Sequence, residues 1–366
     1  MEQKKLIIFM PVIQIGGIEK NLFIISNYLA NKFKNVSLIS TSKEYKNKFN
    51  SKIQFIQPEN NWNKVTNRIK FLICLYLLAI EIIKNKNSSV FCFQADIYCI
   101  LLCKLFKTKI IVRLGSSPAS WSKKILKKIL YINILSMADI IIVNSLEFRK
   151  QLKERFNLNS VCIYNPLNIT EILRLSKIKV KNNFFKKKFI NIINVARFEE
   201  EKDHLTLLKS INLLKDNKKI RLLLIGGGNT RKKILEYIKL NKLTKIVKII
   251  NYRQNPYPFI KKSNLFILSS RFEGLPNVLL EAIALNKFII SSDCSTGPRE
   301  ILFKNKGGLL FKVSDYIGLS KQILFFISNR KICNKKLLFA KSKLHRFDEK
   351  NNLNKYLKLV KRTLTI

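Results

Sequence analysis

The sequence predicts an α/β protein made of two doubly wound parallel-sheet domains. Three observations carry that expectation. Short apolar runs of strand length alternate with helical stretches from Lys5 to Tyr164. The alternation lapses through a lysine- and asparagine-rich stretch, residues 177–188, and restarts at Phe189. A chain of 366 residues is also long for a single core and suits two of ordinary size. Strand and helix in alternation read as βαβ units around a parallel sheet, so each half is expected to be Rossmann-like.

In the first half, Lys5 to Met10 reads as a strand, and Gly16-Gly17 opens a helix running to about Phe33. Strands follow at Val36 to Ser40 and Ile53 to Ile56, then a long helix from Trp62 to Lys84. Val90 to Phe93 is a strand, Asp96 to Phe106 a helix, Ile110 to Leu114 a strand and Trp121 to Met137 a helix. Asp139 to Val143 is a strand; Ser145, a good N-cap, starts a helix ending near Phe156, and Val161 to Tyr164 closes the half. In the second half, strands are expected at Phe189 to Val195, Ile220 to Ile225 and Lys245 to Ile250, with helices at Asp203 to Lys215 and Thr230 to Leu240. Strands at Leu265 to Leu268, Phe288 to Ser292 and Gly308 to Phe311 and helices at Pro276 to Asn286 and Asp315 to Ser328 follow. The tail, Asn351 to Leu364, reads as helical.

Composition narrows the partners. The formal charge is +46, spread along the whole chain, so the surface is expected to adhere to anions such as nucleic acid or anionic lipid headgroups. No zinc-finger spacing, arginine-aromatic RNA motif or other nucleic-acid module accompanies it, which favours a membrane surface over specific nucleic acid. The seven cysteines lie mostly in apolar runs without paired spacing, as expected of buried free thiols in a reducing cytosol. The first apolar run is too short for a signal peptide, and the run Phe71 to Ile80 is too short to span a bilayer.

The second half is organised around residues 265–301, LFILSSRFEGLPNVLLEAIALNKFIISSDCSTGPREI. A buried-type strand leads into the turn Arg271-Phe272-Glu273-Gly274-Leu275, and Pro276 suits the first position of a helix. That helix is apolar on nearly every side, yet carries Glu281. A carboxylate in such a setting is costly without hydrogen-bond donors, which either the protein or a ligand must supply. A strand, a glycine turn and a helix start also place backbone N–H groups where anions bind. Arg197 and Lys202 likewise sit between a strand and a helix, and two cations there suit a diphosphate; ion pairing with Glu199, Glu200 and Glu201 is the plainer alternative. Gly226-Gly227-Gly228 ends the next strand but lacks the full pattern of a nucleotide-binding loop. Gly16 and Gly17 permit close approach to backbone, or simply turn the chain.

Glu273 and Glu281, with seven residues between them in SSRFEGLPNVLLEAIA, resemble the E-x7-E signature of family-4 retaining glycosyltransferases with the GT-B fold. The following Gly297-Pro298-Arg299-Glu300 strengthens that likeness. The resemblance implies two Rossmann-like domains facing across a cleft: an N-terminal acceptor-binding domain over residues 1–170, a linker over 171–188 and a nucleotide-sugar-binding domain over 189–345. The final helix, 346–366, would return to the first domain. It further implies that Arg197 and Lys202 bind the diphosphate, that Glu281 holds the ribose hydroxyls and that Glu273 faces the donor sugar. The segment Gly274, Leu275, Pro276 and Asn277 would assist through the backbone N–H groups it has, Pro276 having none, with Gly16 and Gly17 lining the cleft and Gly226, Tyr252 and Arg253 near the base. No metal or other cofactor is expected. The implied activity moves a hexosyl group from a nucleotide-sugar, a UDP-sugar first among candidates, to a glycan or polyprenyl-linked acceptor in cell-surface polysaccharide synthesis. An inactive GT-B-like scaffold and a basic nucleic-acid-binding protein are the alternatives. Two departures stand out: Ala196 where the family usually has glycine, and Arg113 where a histidine often contacts the donor sugar.

One stretch bears on location. Trp121 to Leu135 alternates lysine pairs with apolar pairs, stacking Lys123 with Lys127 and Lys124 with Lys128 beside a stripe of Ile125, Leu126, Ile129 and Leu130. A basic amphipathic helix of this kind, with Trp121 at one end, is expected to lie in the headgroup plane of the inner face of the plasma membrane, making the enzyme cytoplasmic and peripheral. The alternative is that Ile125 and Leu130 pack on the first sheet while the lysines are solvated.

Overall fold

The computed structural model describes residues 4–14, 16–58, 65–115, 125–180, 183–216 and 219–365. They fall into two compact units, Met1–Pro166 with Glu349–Ile366, and Leu167–Asp348.

The first unit contains β1 (Lys5–Phe9), α1 (Gly17–Ala30), β2 (Val36–Ile39), β3 (Ile53–Ile56), α2 (Asn67–Lys84) and β4 (Ser88–Cys92). It continues with α3 (Asp96–Leu105), β5 (Lys109–Arg113), α4 (Ile125–Ser136), β6 (Ile140–Val143), α5 (Leu146–Phe156) and β7 (Val161–Cys162). Its sheet runs β3-β2-β1-β4-β5-β6-β7 with every neighbouring pair parallel. Both faces are covered, and the period-two pleat divides the strand residues between them. Leu6, Ile8 and Phe91 join the core under α1, while Ile7, Phe9, Val90 and Cys92 join the core under α2, α3 and α5. Ser145 caps α5 by accepting a hydrogen bond from the Phe148 amide at 3.0 Å.

The second unit contains α6 (Ile169–Leu175), β8 (Ile190–Val195), α7 (His204–Leu213), β9 (Ile220–Ile225), α8 (Arg231–Leu240), β10 (Val247–Ile250) and α9 (Tyr257–Lys262). Then come β11 (Leu265–Leu268), α10 (Asn277–Ala284), β12 (Phe288–Ser292), α11 (Pro298–Ile301), β13 (Leu309–Phe311), α12 (Tyr316–Ser328) and α13 (Arg330–Ser342). The sheet order is β10-β9-β8-β11-β12-β13, again parallel throughout. The chain winds outward from β8 to β10, then crosses back to lay β11 on the other side of β8. That reversal opens a crevice at the carboxyl ends of β8 and β11, where ligands of doubly wound sheets bind.

Three expectations need correcting. Residues 171–175 are not linker: α6 continues through them, because the Asn168 side chain accepts from the Glu171 amide at 2.8 Å and caps the helix. Pro276 is the N-cap rather than the first helical residue; its ψ of 105° is extended, and α10 ends before Asn286, whose φ is +59°. The helix α13, unanticipated in a lysine-rich stretch, docks through Cys333, Leu337 and Ala340, one face of the helix.

The last helix, α14 (Glu349–Thr365), belongs to the first unit, where Leu353, Tyr356 and Val360 enter the core under α1. Arg113, at the end of β5, explains part of its anchorage. Its guanidinium is buried and donates to Tyr356 Oη at 3.0 Å and to Asn165 Oδ1 at 2.6 Å, with Phe93 beneath it. In this unit Arg113 is a clamp between β5, α14 and the chain after β7.

Candidate active site

The crevice between β8 and β11 is lined by the two loops that follow those strands, and each loop holds the other. The Arg271 amide donates to Glu201 O at 2.8 Å, and Ser269 Oγ donates to Lys202 O at 2.9 Å. Across this seam Lys202 Nζ lies 2.7 Å from Glu273 Oε1, with both side chains largely buried at 17% and 11% exposure. Ser270 Oγ donates to the same carboxylate oxygen at 2.6 Å. A charge-assisted pair in so enclosed a place is stronger than a surface pair and geometrically fixed.

The neighbouring strand ends buttress this centre. At the end of β12, Ser292 Oγ donates to Ser270 O at 2.5 Å, and from the loop that follows Thr296 Oγ1 reaches the carbonyls of Glu273 and, at 3.0 Å, Gly274. Gly297 has φ +40°, and a Cβ there would sit 2.3 Å from Gly274 O, so this loop closes on the Gly274 turn only through a glycine. After β9, Gly226 approaches the Ala196 carbonyl so closely that a Cβ would lie 2.0 Å away.

Arg197 faces outward beside this centre, 48% exposed, with Nη2 3.3 Å from Glu201 Oε1. The plainer alternative therefore holds for Arg197 but not for Lys202, whose partner is Glu273, 71 residues away in sequence. Glu199 and Glu200 turn elsewhere, to Asn229 and Lys233. Glu281 is buried on α10, in the helix that starts directly after the Gly274–Pro276 turn. Leu275 is buried, while Tyr252 and Arg253 are exposed after β10, two strands from β8. Arg197, Lys202, Gly226, Glu273, Gly274, Leu275, Pro276 and Asn277 thus gather at one sheet edge of the second unit. Gly16 and Gly17 lie in the first unit, opening α1; φ of −176° at Gly16 demands no glycine.

Of the residues expected to face lipid, Trp121, Lys123 and Lys124 fall outside the described residues. Lys127 is exposed on α4, but Lys128 does not point with it: its ammonium sits 4.7 Å from the centre of the Phe156 ring. Ile125 and Leu130 are 66% and 60% exposed, so they do not pack on the first sheet.

Ser270, Thr296 and His204 belong to no motif that would single them out in the sequence. His204 is buried behind Lys202, its Nε2 3.1 Å from Asn194 Oδ1 and its ring edge-on to Phe198. Burial pushes its pKa down from 6.5 to about 4, with the Lys202 charge adding to the shift and Asp203 opposing it. The folded protein therefore holds a neutral imidazole where the unfolded chain would take up a proton. The resulting stability is complete above pH 6.5 and is lost as pH falls towards 4, by roughly 3 kcal/mol in all. Urea unfolding of wild type and His204→Gln at pH 7.5 and 4.5 isolates this contribution. The wild type should lose more stability than the variant; equal losses would mean that the histidine does not titrate. Burial, with the Glu273 charge, likewise pushes the Cys294 thiol up to about 12, which leaves it unreactive beside the site.

Similarity to known proteins follows the same lines. Residues 176–341 match the family model described as glycosyl transferases group 1. An uncharacterized glycosyltransferase of Methanocaldococcus jannaschii is 36% identical over 219 residues, 56% of this chain and 53% of that relative, so the chain spans only about half of its length. An α-1,4-N-acetyl-D-galactosaminyltransferase of Campylobacter jejuni, whose name gives an undecaprenol-diphosphate-linked glycan as acceptor, is 24% identical over 97% of this chain and 98% of that protein. The crystal structure of Anabaena HepE in complex with UDP-glucose superposes with a TM-score of 0.79 at 14% identity, covering 99% of this chain and 100% of that one. Two Rossmann-like units and these neighbours define the fold as GT-B. The stretch matched by the group 1 model lies within the second unit, Leu167–Asp348.

Proposed function

We propose that this protein is a retaining glycosyltransferase of the family-4 type, transferring a hexosyl group from a UDP-sugar to a glycan or polyprenyl-linked acceptor in cell-surface polysaccharide synthesis. The observation that carries the reading is the Lys202–Glu273 pair at the switch point of the second sheet, with the outward Arg197 beside it.

In this reading the donor diphosphate enters the crevice between β8 and β11. Arg197 and Lys202 neutralise the charge that grows on the diphosphate as its bond to the sugar C1 breaks; the acceptor hydroxyl oxygen bonds to C1 in its place and gives its proton to the departing diphosphate. Cations fixed in advance stabilise the transition state without reorganising. The amides at the start of α10 add partial positive charge at the same edge. Lys202 is held by Glu273 before the donor arrives, so the ammonium is placed between the phosphates and the carboxylate that meets the sugar hydroxyls. Glu281 accepts from the ribose hydroxyls, and Tyr252 and Arg253 flank the base. Two cations and helix amides supply the charge a divalent metal would bring, so no metal is assigned to the reaction. HepE's UDP-glucose supports a UDP-linked donor, and the undecaprenol-linked acceptor named for the Campylobacter relative supports a lipid-linked one. Such an acceptor would place the enzyme in the cytoplasm, peripheral on the inner face of the plasma membrane.

Incubation with UDP-, GDP- and ADP-sugars tests the reading. UDP release from at least one UDP-sugar is expected, and release of GDP or ADP alone would overturn the choice of base.

A further inference from the structure

One face of the first unit carries a surface that sugar transfer does not use. α2 buries Cys74, Leu78 and Ile82 on one side, and α3 buries Cys99, Ile100 and Cys103. Their opposite sides are apolar as well. Ile69, Leu72, Tyr76 and Ile83 follow one another at three-, four- and seven-residue steps, a single outward row on α2. Tyr98, Leu101 and Leu105 repeat the pattern on α3. On α4 only Ile134 and Leu135 are buried, and the outward residues include Leu126 at 78% exposure. α3 packs against both α2 and α4, so the three rows are neighbours and form one patch, beyond the scatter of single apolar residues on an ordinary surface.

The exposed charges around the patch are mostly basic, and Asp139 after α4 is paired with Lys104 and Lys109. The only acid of α2, Glu81, is buried and paired with Lys5; the only acid of α3, Asp96, accepts from Tyr131; α4 has none. Arg68, Lys84, Lys107 and Lys127 on or beside these helices are exposed.

We propose that the α2–α3–α4 face docks flat on a bilayer rich in anionic lipid. The apolar rows would enter the acyl boundary, and Arg68, Lys84, Lys107 and Lys127 would meet the headgroups. The inference rests on the reading of the acceptor as lipid-linked and assigns a surface to it. A second copy of the chain is a poor occupant, because it brings the same cations and a charge of +46. Nucleic acid would meet the cations but gains nothing from rows of leucine and isoleucine. Among the described residues no helix is long and apolar enough to cross a membrane, so the face lies on the bilayer rather than through it.

The test is co-sedimentation of the full chain with vesicles of phosphatidylcholine and phosphatidylglycerol at 7:3, beside pure phosphatidylcholine. The comparison is with a variant carrying Leu72→Gln, Leu101→Gln, Leu105→Gln and Leu126→Gln, in which every lysine remains. The variant, and wild type on neutral vesicles, should each bind at least about tenfold less than wild type on anionic vesicles. Equal binding of variant and wild type would reduce the contact to charge alone and overturn the proposal. A wild-type dimer in lipid-free buffer that the variant splits into monomers would also overturn it, giving the face to a second copy. UDP release is measured on the same samples. Loss of vesicle binding with UDP release intact supports the docking face. Wild type that binds vesicles but releases no UDP would count against the proposed reaction and leave the docking face standing.

Discussion

Replacing Glu281 by alanine is expected to weaken UDP binding about 10- to 100-fold, the loss of a charge-assisted hydrogen bond worth roughly 1.5–3 kcal/mol. Glu281 sits on a helix whose other central residues are apolar and buried, Leu279, Leu280, Ala282 and Ile283. A buried carboxylate needs hydrogen-bond donors. In the proposed reading ribose hydroxyls add to those the protein supplies, at the carboxyl edge of the sheet. Titration calorimetry with free UDP measures the effect. Glu281→Gln keeps the volume and one acceptor, so it should fall between the alanine variant and wild type. Normal UDP affinity in the alanine variant, with its melting temperature intact, would remove the ribose role.

The second large effect belongs to Lys202→Ala. Removing one preorganised group aimed at developing charge costs about 10²- to 10³-fold in turnover. Lys202 is mostly buried and fixed by Glu273 at 2.7 Å, so its ammonium is preorganised in that sense. Its loss also leaves the Glu273 carboxylate with the Ser270 hydroxyl but without its cation, which adds a stability cost typical of a broken buried pair. Turnover normalised to folded protein separates the two. A decrease no larger than the folded fraction explains would leave Lys202 a purely structural residue. EDTA should leave wild-type turnover unchanged, and a strict requirement for added Mg²⁺ would contradict the cationic mechanism.

Much of the architecture was legible because parallel strands buried on both faces are written as bare apolar runs. Leu265–Leu268 and Phe288–Ser292, buried throughout, were readable at their observed bounds. Elements whose burial is one-sided and sparse were not. α13 buries three residues among lysines, and α6 is held by an asparagine cap within a polar stretch. The glutamates and cations of the candidate site stood out through spacing and resemblance, but their partnerships did not. Lys202 stands beside three glutamates in sequence, yet its ammonium reaches a fourth on another loop, because the sheet order sets β8 next to β11. Arg113 gave a similar surprise. Its partner Tyr356 is 243 residues away, brought to it by the return of α14 to the first unit. Local pattern carries strands and caps; pairings across a sheet depend on topology.

In the proposed reaction the crevice between β8 and β11 transfers a hexosyl group with its anomeric configuration kept. Proton NMR of the anomeric signal, followed from the first minutes of reaction with an α-linked UDP-sugar, tests it most directly. The account predicts an α-configured product with wild type and its near disappearance with Lys202→Ala. A β-configured initial product, or an α product formed equally fast by the variant, would contradict it.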